Sequence, residues 1–213
     1  MFECFAALAL LELGYPDQSD ERLARGLTLA RELGHPQTLT VALHVSAQPY
    51  QLLGEPSLVY EPAKDALALA DEYGFAVWRA HGLIERGWAL AELGSPQDGI
   101  EMMKKGLAEY EATGAKLRSP YFLGLLADQL GKTGRVVEGL TVITDAITLA
   151  QNTGEGYGLP ELHRIKLFLK SRDLSQSAKL LSDSPALETV SQARACFAET
   201  LQTSKQQGRD GGN

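Results

Sequence analysis

The chain has 213 residues, of which 44% are hydrophobic and 22% charged, a composition typical of folded soluble proteins. Its 20 Lys and Arg residues against 27 Asp and Glu residues give a net charge of −7. This balance argues against nucleic acid as a partner, because binding a phosphate backbone requires clustered cations. Two cysteines, Cys4 and Cys196, are too few for a disulfide framework, and no apolar run approaches the roughly 20 residues of a membrane span. We therefore expect a cytoplasmic protein with no membrane partner.

The chain opens with an apolar stretch, "MFECFAALALLELG". Glu3 stands where a signal peptide has basic residues, and Glu12 interrupts the run, so the stretch predicts a first helix instead. An uncapped first helix leaves apolar surface at Phe2, Phe5 and Leu8. We expect self-association, giving a homo-oligomer, through this N-terminal helix.

Glycines recur every 20 residues along most of the chain. Segments of about 16 residues between them carry apolar side chains at helical spacing, and glycine is the usual residue just past a helix end. Proline two residues after Gly14, Gly54 and Gly94 suits the first turn of the next helix. We therefore predict helices that end at Gly14, Gly34, Gly54, Gly74, Gly94, Gly114, Gly134 and Gly154.

Two kinds of turn alternate along these glycines, so the structural unit is a helical hairpin of about 40 residues. Small residues recur at equivalent points of successive hairpins, where they let neighbouring helices approach closely. In the first helix of each unit they are Ala7, Ala47, Gly87 and Ala127. In the second helix they are Gly26, Ala66, Gly106 and Ala146.

This arrangement resembles tetratricopeptide repeats, which have small residues at these points and a glycine at the hairpin turn. A further small position of the second helix is kept in Ser19, Gly99 and Gly139, whereas Val59 departs from it. The period also exceeds the usual 34 residues of that family. The resemblance implies an all-α, right-handed superhelix of antiparallel helix pairs with a long period of about 40 residues.

Longer segments are similar to one bacterial subgroup of that family. They are "HGLIERGWALAELGSPQDGIEMMKKGLAEYEATGA" and "LRSPYFLGLLADQLGKTGR". The subgroup is the C-terminal repeat region of multidomain regulators that join a signalling ATPase to adenylate-cyclase-like or DNA-binding domains. The first helix lacks the opening turns of later ones, so we expect either a fragment of such a regulator or a gene shortened to the repeats.

The regular spacing of the glycines ends after Gly154. A fifth first helix is predicted near 159–170, and "QARACFAETLQTSKQQG" matches a fifth second helix. The intervening residues, near 171–191, indicate an insertion, and its segment "LSQSAKLLSD" suggests a short extra helix. We predict a single solenoid over 1–208, with units of about 1–34, 35–74, 75–114, 115–154 and 155–208, and a disordered tail over 209–213.

No sequence motif indicates catalysis, a cofactor or a metal. The string "LGKTGR" lacks the glycine that a phosphate-binding loop needs at position 126, where Leu126 stands, so we read it as a hairpin turn. No two histidines lie three to five residues apart, so no helix presents a histidine pair to a metal. No serine or threonine has the setting of a nucleophile. We therefore predict that the protein is not an enzyme.

First-helix residues displaced from the core stripe are expected to face the concave groove of the superhelix. Trp88 stands out among them, since tryptophan buries a large area with few rotatable bonds and is favoured at binding hot spots. The predicted groove contacts are His44, Gln48, Gln51, His81, Ile84, Trp88, Glu92, Tyr121, Asp128 and Lys132.

The sequence thus favours a non-catalytic scaffold for protein–protein interaction. Its partner would be a protein, a peptide or another domain of a parent protein, and the resemblance implies signal reception or regulation within a larger signalling protein. The alternative is a solenoid that senses a small-molecule effector in its groove.

Overall fold

The computed structural model describes residues 2–156 and 158–182. These residues form nine α-helices and no strand. The helices are α1 (Phe2–Glu12), α2 (Pro16–Leu33), α3 (Pro36–Leu53), α4 (Pro56–Tyr73), α5 (Ala76–Glu92), α6 (Pro96–Ala112), α7 (Ser119–Lys132), α8 (Val136–Thr153) and α9 (Leu159–Ser182). None of them is long and apolar enough to cross a membrane.

The predicted glycine positions end the helices as expected. All eight glycines have a positive φ, between 65° and 104°. Gly34 illustrates why, because its left-handed backbone turns its N–H back to the carbonyl of Arg31 at 3.1 Å and closes α2. Gly134 follows α7 in the same conformation, so the string "LGKTGR" is a hairpin turn. The prediction that helices end at these glycines is therefore confirmed.

Successive helices pair as hairpins. The helix α1 packs on α2, α3 on α4, α5 on α6 and α7 on α8. The first helices also contact one another in sequence, α1 with α3, α3 with α5 and α5 with α7, so they form one layer of the stack. This arrangement confirms the prediction of an all-α solenoid of helix pairs.

Small residues set the helix spacing in the hairpin of α5 and α6. A Cβ atom placed on Gly99 would lie 2.4 Å from the carbonyl oxygen of Gly87 and 2.6 Å from the nitrogen of Ala91. The two backbones are thus nearly in contact. Large side chains fill the space on either side, including the fully buried Ile84 and Met103. The predicted role of the small residues holds at this crossing.

The turns before α7 and α9 are longer than the others. Arg118, directly before α7, adopts the left-handed conformation with φ 66°. Its N–H donates to the Glu155 carboxylate, at 2.9 Å from Oε1 and 3.2 Å from Oε2, so the two longer turns are joined. Because these two turns are longer, α7 and α9 begin at Ser119 and Leu159, later than the 20-residue spacing would place them.

The chain divides into two compact units, residues 1–169 and 170–213. The helix α9 begins in the first unit and continues to Ser182. Residues 171–182, the first part of the expected insertion, are helical and continue the predicted fifth first helix. The expected fifth second helix and the tail at 209–213 lie outside the described residues, and the single solenoid over 1–208 stays a prediction.

Candidate functional site

A groove of about 780 Å³ opens within the first unit, between the C-terminal ends of the early first helices and the bodies of α7 and α9. It is neither an enclosed cavity nor a flat surface. The lining residues are Glu12, Gln51, Leu52, Leu53, Gly54, Trp88, Glu92, Tyr121, Gly124, Leu125, Asp128, Lys132, Gly158, Glu161, Leu162, Arg164 and Ile165.

The structure brings six of the ten predicted groove residues together in this lining. They are Gln51, Trp88, Glu92, Tyr121, Asp128 and Lys132. The other four, His44, Gln48, His81 and Ile84, are buried and do not line it. Their role as ligand contacts stays a prediction. Packing covers their side chains, since His44 and His81 stack on each other and Ile84 lies against Gly106 of α6.

The sequence analysis missed the contribution of α9 to the groove. Glu161 and Arg164 line it together with Leu162 and Ile165. The sequence does contain a signal for this contribution, because Glu161 lies one 40-residue period after the predicted groove contact Tyr121. The predicted groove contacts end in the fourth hairpin, because the same register was not extended to α9.

A polar network spans the groove between hairpins. The Tyr121 hydroxyl donates to Gln51 Oε1 at 3.0 Å, which links α7 to α3. Lys132 Nζ lies 2.9 Å from Asp128 Oδ2 and also contacts the Glu92 carboxylate of α5. Burial alone would lower the pKa of Lys132, but its hydrogen bonds to Glu92 and Asp128 raise it. These contacts hold the groove walls in register without closing the groove.

The lining combines an apolar floor with an acidic rim. The floor includes Leu125, Leu162 and Ile165, with the edge of the buried Trp88. The described lining residues include four carboxylates, those of Glu12, Glu92, Asp128 and Glu161, and two cationic side chains, those of Lys132 and Arg164. The ends of α1 and α3 add the partial negative charge of helix C-termini. The chemistry suits a ligand with apolar and cationic groups.

A second polar cluster lies inside the stack. His44 of α3 and His81 and Glu85 of α5 are almost completely buried. His44 Nδ1 lies 2.7 Å from Glu85 Oε2, and His81 Nε2 lies 3.2 Å from Glu85 Oε1. The two imidazole rings stack with their centroids 4.5 Å apart. We call these three residues the His–Glu–His cluster.

Burial dominates the electrostatics of His81. It lowers the pKa of His81 to about 4, against the attraction of Glu85, so the imidazole is neutral at physiological pH. For Glu85, burial alone would raise the pKa, but the two adjacent histidines together hold it well below its usual range. The cluster therefore contains an ionised carboxylate in an environment that excludes water.

The sequence-based prediction about metal ligands did not consider this cluster. That prediction considered pairs of histidines and overlooked Glu85, which lies four residues after His81 and hence on the same helix face. Within the described residues, these three side chains form one group whose ligand atoms could hold a metal ion. His35 lies apart from the cluster, exposed at the start of α3, where its ring nitrogen accepts the N–H of Thr38 at 3.3 Å.

No protein-family model matches the chain. It is 23% identical over 194 residues to an uncharacterized protein of Rhizobium meliloti (strain 1021), an alignment that covers 91% of this chain and 19% of that protein. The chain thus spans about a fifth of the length of this relative.

Among solved structures, the chain is similar to the TPR-like repeats of a kinesin light chain-like protein from Podosopora anserina. The TM-score is 0.57 at 17% sequence identity, and the match covers 93% of this chain and 94% of that one. A glutamine-to-methionine variant of the same protein matches with a TM-score of 0.57 at 16% identity, covering 94% and 95%. The chain therefore has the fold of TPR-like helical repeats.

Proposed function

We propose that this protein is a non-catalytic interaction scaffold that binds an extended segment of a protein partner in the groove between α3, α5, α7 and α9. The observation that carries the proposal is the lining itself, an apolar floor with an excess of carboxylates over cations. Repeat solenoids present extended concave surfaces of this kind to their partners.

The chemistry of the groove defines the partner segment. An apolar side chain would cover Leu125 and Leu162. A Lys or Arg nearby would share the carboxylates of Asp128 and Glu161, which otherwise pair with Lys132 and Arg164. The partner is thus a peptide with alternating apolar and basic residues, carried by another protein or by another domain of the same parent protein.

We further propose a regulatory role, in which the chain receives a signal as a module of a larger signalling protein. The alignment to a limited stretch of a much longer relative supports this role. The low cysteine content supports a cytoplasmic site of action, since disulfides are rare in that compartment.

A selection from a random displayed peptide library tests the proposal. We expect enrichment of peptides that combine apolar and basic residues. Their binding should fall by at least about tenfold in the double variant Leu52→Lys and Leu53→Lys, which removes apolar surface from the groove lining and repels the basic residues of the peptide. The matched control is Leu29→Lys with Leu58→Lys, because these leucines on α2 and α4 have similar exposure, 47% and 49% against 48% and 51%, and lie outside the groove lining.

Failure to enrich any peptide would contradict the proposal, as would equal binding by the groove variant. A small-molecule effector is the second candidate, favoured by the groove volume of about 780 Å³, which lies in the range of ligand pockets. A thermal-shift screen of metabolites separates the two, since stabilisation by a metabolite that the groove variant loses would identify a sensor.

Self-association through α1 is a third element of the proposal. Phe2 is 92% exposed and Phe5 50% exposed on this helix. Two such faces together would bury both rings. Sedimentation equilibrium should show a concentration-dependent dimer that Phe2→Ser with Phe5→Ser abolishes, and a monomer at all concentrations in the unmodified protein would refute it.

A further inference from the structure

The His–Glu–His cluster contains polar atoms that the protein does not satisfy. His44 Nε2, His81 Nε2 and Glu85 Oε1 are buried, and none has a hydrogen-bond partner in the protein. The 3.2 Å contact between His81 and Glu85 is close enough for an ion pair but does not have the geometry of a hydrogen bond. Such atoms destabilise a fold unless something else interacts with them.

The three side chains lie near enough to share one ion, but the stacked imidazole rings must first turn so that one nitrogen of each points to it. One ligand atom from each residue can be chosen so that all three lie within 4.8 Å of one another. Zinc bonded tetrahedrally at about 2.0–2.1 Å holds its ligand atoms about 3.4 Å apart. Each pair of ligand atoms therefore needs to close by at most roughly 1.4 Å, a distance that a change of side-chain rotamer can cover.

The donor types select the class of ion. Two imidazole nitrogens with one carboxylate oxygen suit zinc and neighbouring divalent transition metals, whereas magnesium and calcium prefer oxygen alone. The carboxylate of Glu85 supplies the negative charge that a buried cation requires. One cation lies near the cluster, since the guanidinium of Arg118 lies over the Phe122 ring and that ring contacts His81 at 4.8 Å between centroids. Besides burial, its charge contributes to the lowered pKa of His81 and so opposes a bound cation, whereas the carboxylate of Glu85 favours one.

We propose that His44, His81 and Glu85 form a binding site for one divalent transition-metal ion of the zinc class. The site joins α3 to α5, two first helices of successive hairpins. Trp78 covers it, with its ring stacked 5.5 Å from that of His44 and 5.9 Å from that of His81. Trp78 is itself partly exposed, so an ion must displace its ring to reach the cluster.

Bound metal would also fix the groove. Gln51 lies two turns after His44 on α3, and Trp88 lies one turn after Glu85 on α5. Both residues line the groove. A metal that clamps the two helices would therefore hold this wall of the groove in place, although the site itself does not depend on the groove having a ligand.

Titration of the chelator-treated protein with Zn²⁺ and Co²⁺ tests the proposal. We expect one ion per chain, visible ligand-field absorption from low-coordinate Co²⁺ that Zn²⁺ displaces, and a rise in Tm with added Zn²⁺. The variants Glu85→Gln, His44→Gln and His81→Gln should each weaken binding by at least roughly tenfold. The control His163→Gln, at an exposed histidine of α9, should bind as the unmodified protein does.

The proposal is overturned if the unmodified protein takes up no metal, if Zn²⁺ leaves Tm unchanged, or if the cluster variants bind as well as the control. Should the variants fail to fold, imidazole nitrogen NMR of the unmodified protein decides the question. Zn²⁺ must then shift the resonances of His44 and His81 and leave those of His35 and His163 in place, and the reverse pattern refutes the site.

Discussion

The hairpins α5–α6 and α7–α8 occupy equivalent positions in the repeat but pack at different distances. In α5–α6 two glycines face each other, and a Cβ on Gly99 would come within 2.4 Å of the Gly87 backbone. In α7–α8 the residue equivalent to Gly87 is Ala127, and a Cβ on Gly139 would lie 3.1 Å from its carbonyl oxygen. The Ala127 methyl group thus accompanies a wider separation of the helices. A one-carbon difference changes how tightly a repeat unit closes.

The first helices of these two hairpins, α5 and α7, also differ in the side chains that they place at equivalent positions. The helix α5 has His81 and Glu85 in the core, whereas the equivalents on α7 are Tyr121 and Leu125, which line the groove. The tighter hairpin is therefore also the one that buries charge. The looser one leaves the same register positions open to a ligand.

The largest expected effect is that of Gly99→Ala. The new methyl group would clash with backbone atoms of Gly87 and Ala91, which cannot rotate away, so the hairpin must open. We expect a loss of about 3 kcal/mol in the free energy of unfolding, measured by urea denaturation followed by circular dichroism. A loss below about 1 kcal/mol would show that the close crossing is not rigid.

The second largest effect is expected on acidification, which should lower the stability of the protein around α5. Below the ordinary pKa of 6.5 the unfolded chain binds a proton at His81, whereas the folded protein does so only near pH 4. Stability is therefore lost as pH falls through this window, and the lowered pKa of Glu85 extends the loss below pH 4.5. The groups facing His81 are His44, Glu85 and the more distant Arg118.

In chelator-containing buffer we expect the free energy of unfolding to fall by about 2 kcal/mol between pH 7 and pH 5. This figure corresponds to a difference of one bound proton between the unfolded and folded protein over about 1.5 pH units. Urea denaturation at both pH values measures it. Amide hydrogen exchange, corrected for its intrinsic pH dependence, should show the change in α5 more than in α7. An unchanged stability across this range would mean that the folded cluster takes up the proton without penalty.

The smallest effect is expected for Gly139→Ala, the counterpart of the first substitution. Its contacts with Ala127 and Leu169, at 3.1 and 3.3 Å, require a shift of a few tenths of an ångström. The gain in helix propensity of up to about 1 kcal/mol offsets this strain. We expect a change within about 1 kcal/mol of zero by the same denaturation assay, and a loss as large as that of Gly99→Ala would remove the distinction between the hairpins.

The sequence was most informative about features that depend on local chemistry. A glycine in the left-handed conformation ends a helix whatever surrounds it, so the spacing from Gly14 to Gly154 predicted the helix ends correctly. The small residues likewise located the crossing of α5 and α6. These signals lie within a single hairpin.

Burial between hairpins could not be read in the same way. The register places His44 and His81 on the inner face of their helices, but the covering of that face depends on how closely α1, α3 and α5 stack. That distance results from packing across several units, which periodicity does not encode. For the same reason the predicted contacts Asp128 and Lys132 line the groove, near α9, whereas Gln48 and Ile84 are buried away from it.

The close crossing at Gly87 and Gly99 has a consequence for how the chain acquires its structure. In a linear array each repeat is stabilised only by its neighbours, so folding starts where the local gain is largest and spreads outward. The hairpin α5–α6 combines the closest approach with contacts to α4 and α7 on either side. We therefore expect this hairpin to be the folding nucleus from which structure spreads to its neighbours.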